Sequence, residues 1–143
     1  MENDTVKLLR ECDAGAQMGI ESIDDVRDYV SHPELKEMLV SCKREHEKIY
    51  SEIEGELARF GDQGKEPSLL AEGMSKLKTE FKLRMKETDA TVADLMTDGC
   101  NMGVKSLSRY LNRYGNAEET ARTLAGRLIR CEEELAKDIR PYL

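Results

Sequence analysis

Apolar residues recur along this chain at spacings of three and four, with charged residues between them, the signature of amphipathic helices. The first such run predicts a helix over residues 3–30, with Leu9, Ala16, Ile20, Ile23 and Val30 on one face. "SHPELKE" then marks a corner: Ser31 with Glu34 reads as a capping box, and Pro33 suits a first helical turn. A second helix over 32–60 should double back on the first. Its seam is Leu35, Met38/Leu39, Cys42, His46, Ile49, Ile53, Leu57 and Phe60. "GDQGKEP" at 61–67 is a loop by its glycines and proline. An unbroken helix from 68 to 114 would run about 70 Å, against about 43 Å for either of the first two. The stretch is therefore divided near "KETDAT", giving a helix at 68–85 and another at 88–114. The shorter one carries its own apolar stripe, Leu69, Leu70, Met74, Leu77, Phe81 and Met85. Gly115 closes the longer one, Asn116 and Glu119 form a second capping box, and a last helix over 117–140 stops at Pro141. Its seam is Ala121, Leu124, Leu128, Cys131, Leu135 and Ile139.

The expected fold is all-α. It is a single domain over 1–143 with a hairpin at 3–60, a crossover at 61–87 and a hairpin at 88–140. The hairpins look related. "GAQMGIESI" at 15–23 and "GCNMGVKSL" at 99–107 share Gly, Met, Gly and Ser in register. Glycine inside a helix costs about 1 kcal/mol relative to alanine. Gly15, Gly19, Gly99 and Gly103 are therefore assigned to close helix packing. Laying "CKREHEKIYSEI" (42–53) on "LIRCEEELAKDI" (128–139) extends the match and sets Glu132 opposite His46.

Composition narrows the function. The 143 residues carry a net charge of -7, which disfavours nucleic acid or an anionic membrane surface as partner. The start of the chain lacks a secretory pattern and no uncharged run approaches a membrane span, so a cytoplasmic location is expected. The four cysteines, 12, 42, 100 and 131, include no C-x-x-C pair, and they read as free, mostly buried thiols.

Two related hairpins joined by a long crossover, the early "CDAGAQMG", "HPELKEML" opening the second helix and the interrupted third element resemble the small bacterial ferritin-like four-helix bundles of unknown function. That resemblance implies a four-helix bundle with an extra helix in the crossover. It also invites a test for a di-iron site, with Glu on the first and third main helices and Glu-x-x-His on the second and fourth. Lys43 stands three before His46 and Ile129 three before Glu132, and the last helix has no histidine. A degenerate metal site would rest on His46, Glu132, Asp13 and Asp98. The simpler account of His46 is a buried ring bonded to a facing carboxylate. Cys100 and Cys131, both near mid-helix, could approach one another, whereas a four-cysteine site is not expected because the four sit at different heights.

No nucleophile–base motif is present, so no catalytic residue and no cofactor are assigned. The leading expectation is a non-catalytic bundle acting through protein contacts or homo-oligomerisation. The alternatives are an iron- or manganese-binding oxidoreductase or storage protein with a reduced site, and a bundle holding a small ligand beneath the 68–85 helix.

Overall fold

In a computed structural model the chain is described over residues 3–62 and 88–143, and every regular element among them is helical. They are α1 (Asp4–Val26), α2 (Pro33–Arg59), α3 (Thr88–Arg113) and α4 (Glu119–Asp138). Single 3₁₀ turns follow α1 at Arg27–Tyr29 and α4 at Arg140–Tyr142. The helix expected at 68–85 and its apolar stripe lie outside the described residues.

Helical periodicity reads most of the interior, with Ile20, Val30, Met38, Phe60 and Cys131 only partly buried. In α2 the buried positions are Leu35, Leu39, Cys42, His46, Ile49, Ile53 and Leu57, the expected seam without Met38 and Phe60. In α4 Ala121, Leu124, Leu128 and Leu135 are buried, as is Ile139 just beyond it. In α1 Leu9, Ala16 and Ile23 are buried and Ile20 is half-buried; the helix expected to reach residue 30 ends at Val26, so the half-buried Val30 lies beyond it. Each fully buried Leu or Ile contributes about 1.5–3 kcal/mol relative to exposure.

These side chains form two clusters. One holds Leu8, Leu9 and Cys12 of α1, Ile49, Ile53 and Leu57 of α2, Leu107 and Tyr110 of α3, and Ala121, Leu124 and Leu128 of α4. The other holds Ile23 and Val26, Leu35, Leu39 and Cys42, Val92, Leu95, Met96 and Cys100, and Leu135 with Ile139. Thus α1 and α4 run through the clusters in one order, and α2 and α3 in the other.

The helix ends depart from expectation. Neither capping box forms. The N-cap of α2 is His32 and that of α4 is Glu118, and neither side chain caps its own helix. Both termini are instead capped from another helix. Asp89 of α3 accepts the backbone N–H groups of Ser31 and His32 at 2.7 and 3.1 Å. At the start of α4 the backbone N–H of Asn116 goes to Asp4 at 3.1 Å, and that of Glu118 goes to the Thr5 hydroxyl at 2.8 Å. An acidic side chain from a neighbour satisfies orphan donors as well as a local cap does. Local capping occurs at α1, where Asn3 accepts from the Val6 N–H at 2.9 Å. α2 closes on Gly61 at φ 67°, with Asp62 N–H returning to Leu57 C=O and Gly61 N–H to Ala58 C=O. Asp62 is then gripped by the guanidinium of Arg10 in α1.

Candidate functional site

One turn apart on the buried seam of α2 stand Cys42 and His46. Opposite them α4 presents Cys131 and Glu132. The sulfur of Cys42 is 3.5 Å from that of Cys131 and 3.5 Å from His46 Nδ1, and Cys131 Sγ is 3.4 Å from the same nitrogen. These three donors form a closed triangle, the one group of three or more metal-ligating side chains among the described residues. The other ring nitrogen, Nε2, is 2.6 Å from Glu132 Oε1. Cys100 of α3 is buried close to the same carboxylate, whose charge adds to the rise of its pKa.

The imidazole is held on every side. It is 1% exposed, and Nδ1 also lies 2.9 Å from the Cys42 carbonyl, one turn back in its own helix. Gly19 of α1 packs against the Cδ2–Nε2 side of the ring, and a Cβ there would stand 2.5 Å from His46 Cδ2. Gly103 of α3 lies beside Glu132 more loosely, and a Cβ there would meet Oε2 at 3.4 Å, an ordinary contact. Gly15 has a looser neighbour, Leu107, at 3.9 Å, and Gly99 lines a small cavity beside the site.

Burial pulls the pKa of His46 down, but its bonds to Cys131 and Glu132 outweigh that and carry it up to about 10. Both ring nitrogens face acceptors, which suits an imidazolium. At Cys131 the bond from Cys42 lowers the pKa, burial opposes it, and His46 lowers it again, to about 6. The bond to Cys131, followed by burial, pushes the Cys42 thiol upward. Cys12 and Cys100 are also raised, chiefly by burial.

Two spaces flank the cluster. A groove of about 610 Å³ lies between α2 and α4, with Cys42 and Cys131 among its lining residues. A cavity of about 50 Å³ lies on the opposite side, lined by Met18, Met96, Met102 and the glycines, with His46 and Glu132 at its wall.

Of the four carboxylate and imidazole groups assigned from the sequence, the structure brings together His46 and Glu132. Asp13 sits six residues before Gly19, about 9 Å away along α1. Its Oδ2 accepts from Gln17 at 3.0 Å and its carboxyl meets Glu54. Asp98 is exposed, because it lies two residues, about 200° of helical turn, from the buried Cys100. Lys43 is engaged with Asp24 of α1 at 2.6 Å. A di-iron ligand set is therefore not assembled by these residues.

The sequence places Cys42 and Cys131 among free, mostly buried thiols and lets Cys131 approach Cys100, and it does not assign either of them to a site with His46. Two signals pointed to them. Cys42 and His46 share one seam at i and i+4. Cys131 directly precedes the residue that matches His46 in the second hairpin. Cys12 belongs to the other cluster, so the four cysteines do not converge.

No described helix is long and apolar enough to cross a membrane. Comparison with protein-family models, with curated proteins and with solved structures gives no match.

Proposed function

We propose that this protein is a ferritin-like bundle of two antiparallel hairpins that binds one thiophilic divalent ion of the zinc class through Cys42, His46 and Cys131. The observation that carries the reading is the donor triangle backed by Glu132. Zinc–sulfur bonds of about 2.3 Å and zinc–nitrogen bonds of about 2.0 Å at tetrahedral angles set S···S near 3.8 Å and S···N near 3.5 Å. The edges here are 3.5, 3.5 and 3.4 Å, so small side-chain adjustments admit an ion. Binding through Nδ1 displaces its bond to the Cys42 carbonyl and leaves Nε2–H donating to Glu132. A carboxylate on the far nitrogen is the usual orienting partner of a metal-bound imidazole. Two thiolates and one imidazole favour zinc or copper(I) over iron or manganese in an oxygen-rich site. Three protein ligands leave one position for an exogenous ligand.

The ferritin-like arrangement is supported by the opposite order in which α1 and α2, and α3 and α4, cross the two clusters. Asp62 is tied to α1 near its start and Asp89 to the start of α2, so α2 ends and α3 begins at opposite ends of the bundle. The proposed repeat has a physical basis in the matched glycines. Gly19 packs closely on His46 and Gly103 makes ordinary contact with Glu132, and the two glycines match in the aligned segments 15–23 and 99–107. A role resting on protein contacts draws less support, since the exposed large hydrophobic side chains among the described residues are Tyr29 and Leu143.

Zinc titration of reduced protein, read by metal-to-protein ratio after desalting, tests the reading. One ion per chain is expected, with loss of binding in His46→Ala and Cys131→Ser. Less than about a tenth of an ion per chain in wild type would refute it, given that a buried thiolate–imidazole site holds zinc tightly at neutral pH.

A further inference from the structure

We propose that Cys42 and Cys131 are a reversible dithiol couple, closed to an interhelical disulfide by a hydroperoxide that reaches Cys131 through the α2–α4 groove. The sulfurs are 3.5 Å apart on two helices packed against each other. A disulfide needs about 2.05 Å, so the gap to close is about 1.5 Å, within the reach of side-chain rotation. Cys131 is partly exposed while Cys12, Cys42 and Cys100 are buried, which makes it the sulfur an oxidant meets first. Cys42 lies directly behind it and lines the same groove. Cys12 belongs to the other core cluster, and Cys100 is 1% exposed. One accessible thiol with one resolving thiol at contact distance is the arrangement that favours a disulfide over deeper oxidation.

The chemistry balances in two steps. The Cys131 sulfur attacks the terminal oxygen of the hydroperoxide, the O–O bond breaks, and the departing alkoxide takes the Cys131 proton to leave as an alcohol. Cys131 is then a sulfenic acid. Cys42 attacks that sulfur, the S–O bond breaks, and hydroxide leaves as water with the Cys42 proton. Two thiols and one hydroperoxide give one disulfide, one alcohol and one water; with hydrogen peroxide both small products are water. A metal bound to both sulfurs would hold the pair reduced, and oxidation would release the metal. That consequence, unlike the disulfide itself, rests on the metal reading.

The test exposes the reduced, metal-free full chain to hydrogen peroxide, alkylates the remaining thiols and maps unreduced peptides by mass spectrometry. Two of the four thiols should be lost, a Cys42–Cys131 linked peptide should appear, and a reductant should reverse it. Cys100→Ser should still form the link, and Cys131→Ser should keep all three of its thiols. A link between another pair, a sulfinic acid at Cys131 with Cys42 still alkylated, or four intact thiols would overturn the proposal. Repeating the reaction on zinc-loaded protein separates the two readings. Closure roughly tenfold slower or more is expected, since metal-bound sulfur is a poor nucleophile. Equal rates with and without zinc would count against the metal site and leave the disulfide standing.

Discussion

Gly19 of α1 is the floor on which the His46 ring rests, so close that a Cβ at this position would lie 2.5 Å from Cδ2 and 2.6 Å from Nε2. The ring cannot retreat, being held by Glu132 at one nitrogen and the Cys42 carbonyl at the other. Gly19→Ala should therefore destabilise the fold by about 2 kcal/mol, because overpacking outweighs the gain of about 1 kcal/mol in helix propensity. The penalty should largely vanish in a His46→Ala background, a coupling that a double-mutant cycle by urea denaturation measures. Gly126→Ala is the control. A Cβ there meets nothing within 4 Å, and the variant should gain about 0.5–1 kcal/mol.

Glu132 orients the ring from its far nitrogen. Glu132→Gln should weaken zinc binding by roughly 10–100-fold while leaving the stoichiometry intact, whereas Cys131→Ser removes a ligand. Zinc at 100 times its dissociation constant should stabilise the wild type by about 2.7 kcal/mol. Thermal melts with and without zinc should show that stabilisation lost in Cys131→Ser.

Asp13 ties stability to pH at the other end of the bundle. Burial raises its pKa first, the proton shared with Glu54 and the charge of Glu54 add to it, Gln17 opposes them, and the result is about 7. Its Oδ1 is buried and has no donor, which a shared proton remedies. The folded pKa stands above the ordinary 3.8, so this group's stabilising contribution is complete at low pH. It is lost as pH rises from about 4 through 7. Wild type should lose of the order of 2 kcal/mol across that window from this group. Asp13→Asn should flatten the profile and be the more stable protein at pH 8, as read by chemical denaturation at a series of pH values.

The caps supplied between helices are separable from the site. Asp89→Ala leaves the Ser31 and His32 N–H groups without their acceptor and should cost about 1 kcal/mol. Zinc affinity should be unchanged, since Asp89 touches none of the four cluster residues.

Much of this was legible in the chain. Leu35 through Leu57 fall on one seam because a helix turns every 3.6 residues, and their burial follows from spacing alone. Of the repeated glycines, Gly19 is the one at which an added Cβ would collide with a neighbour. The caps were not legible: Ser31 with Glu34 and Asn116 with Glu119 have the right local chemistry. Nothing local reveals that Asp89, Asp4 and Thr5 arrive from other helices and satisfy the same donors. The Cys42–Cys131 contact is hidden for a similar reason. Which residues meet across α2 and α4 is set by how far the helices slide against each other, and spacing within one helix does not carry that register. The match of His46 with Glu132 did carry it, and applied one residue earlier it places Cys131 at the imidazole. Asp13 failed as a ligand through height along α1, and Asp98 through helical phase.

X-ray absorption at the zinc edge of the loaded protein tests the central claim most directly, because it counts sulfur neighbours. The account predicts two sulfur scatterers at about 2.3 Å with nitrogen or oxygen at about 2.0 Å. A first shell of nitrogen and oxygen alone in the wild type would contradict it.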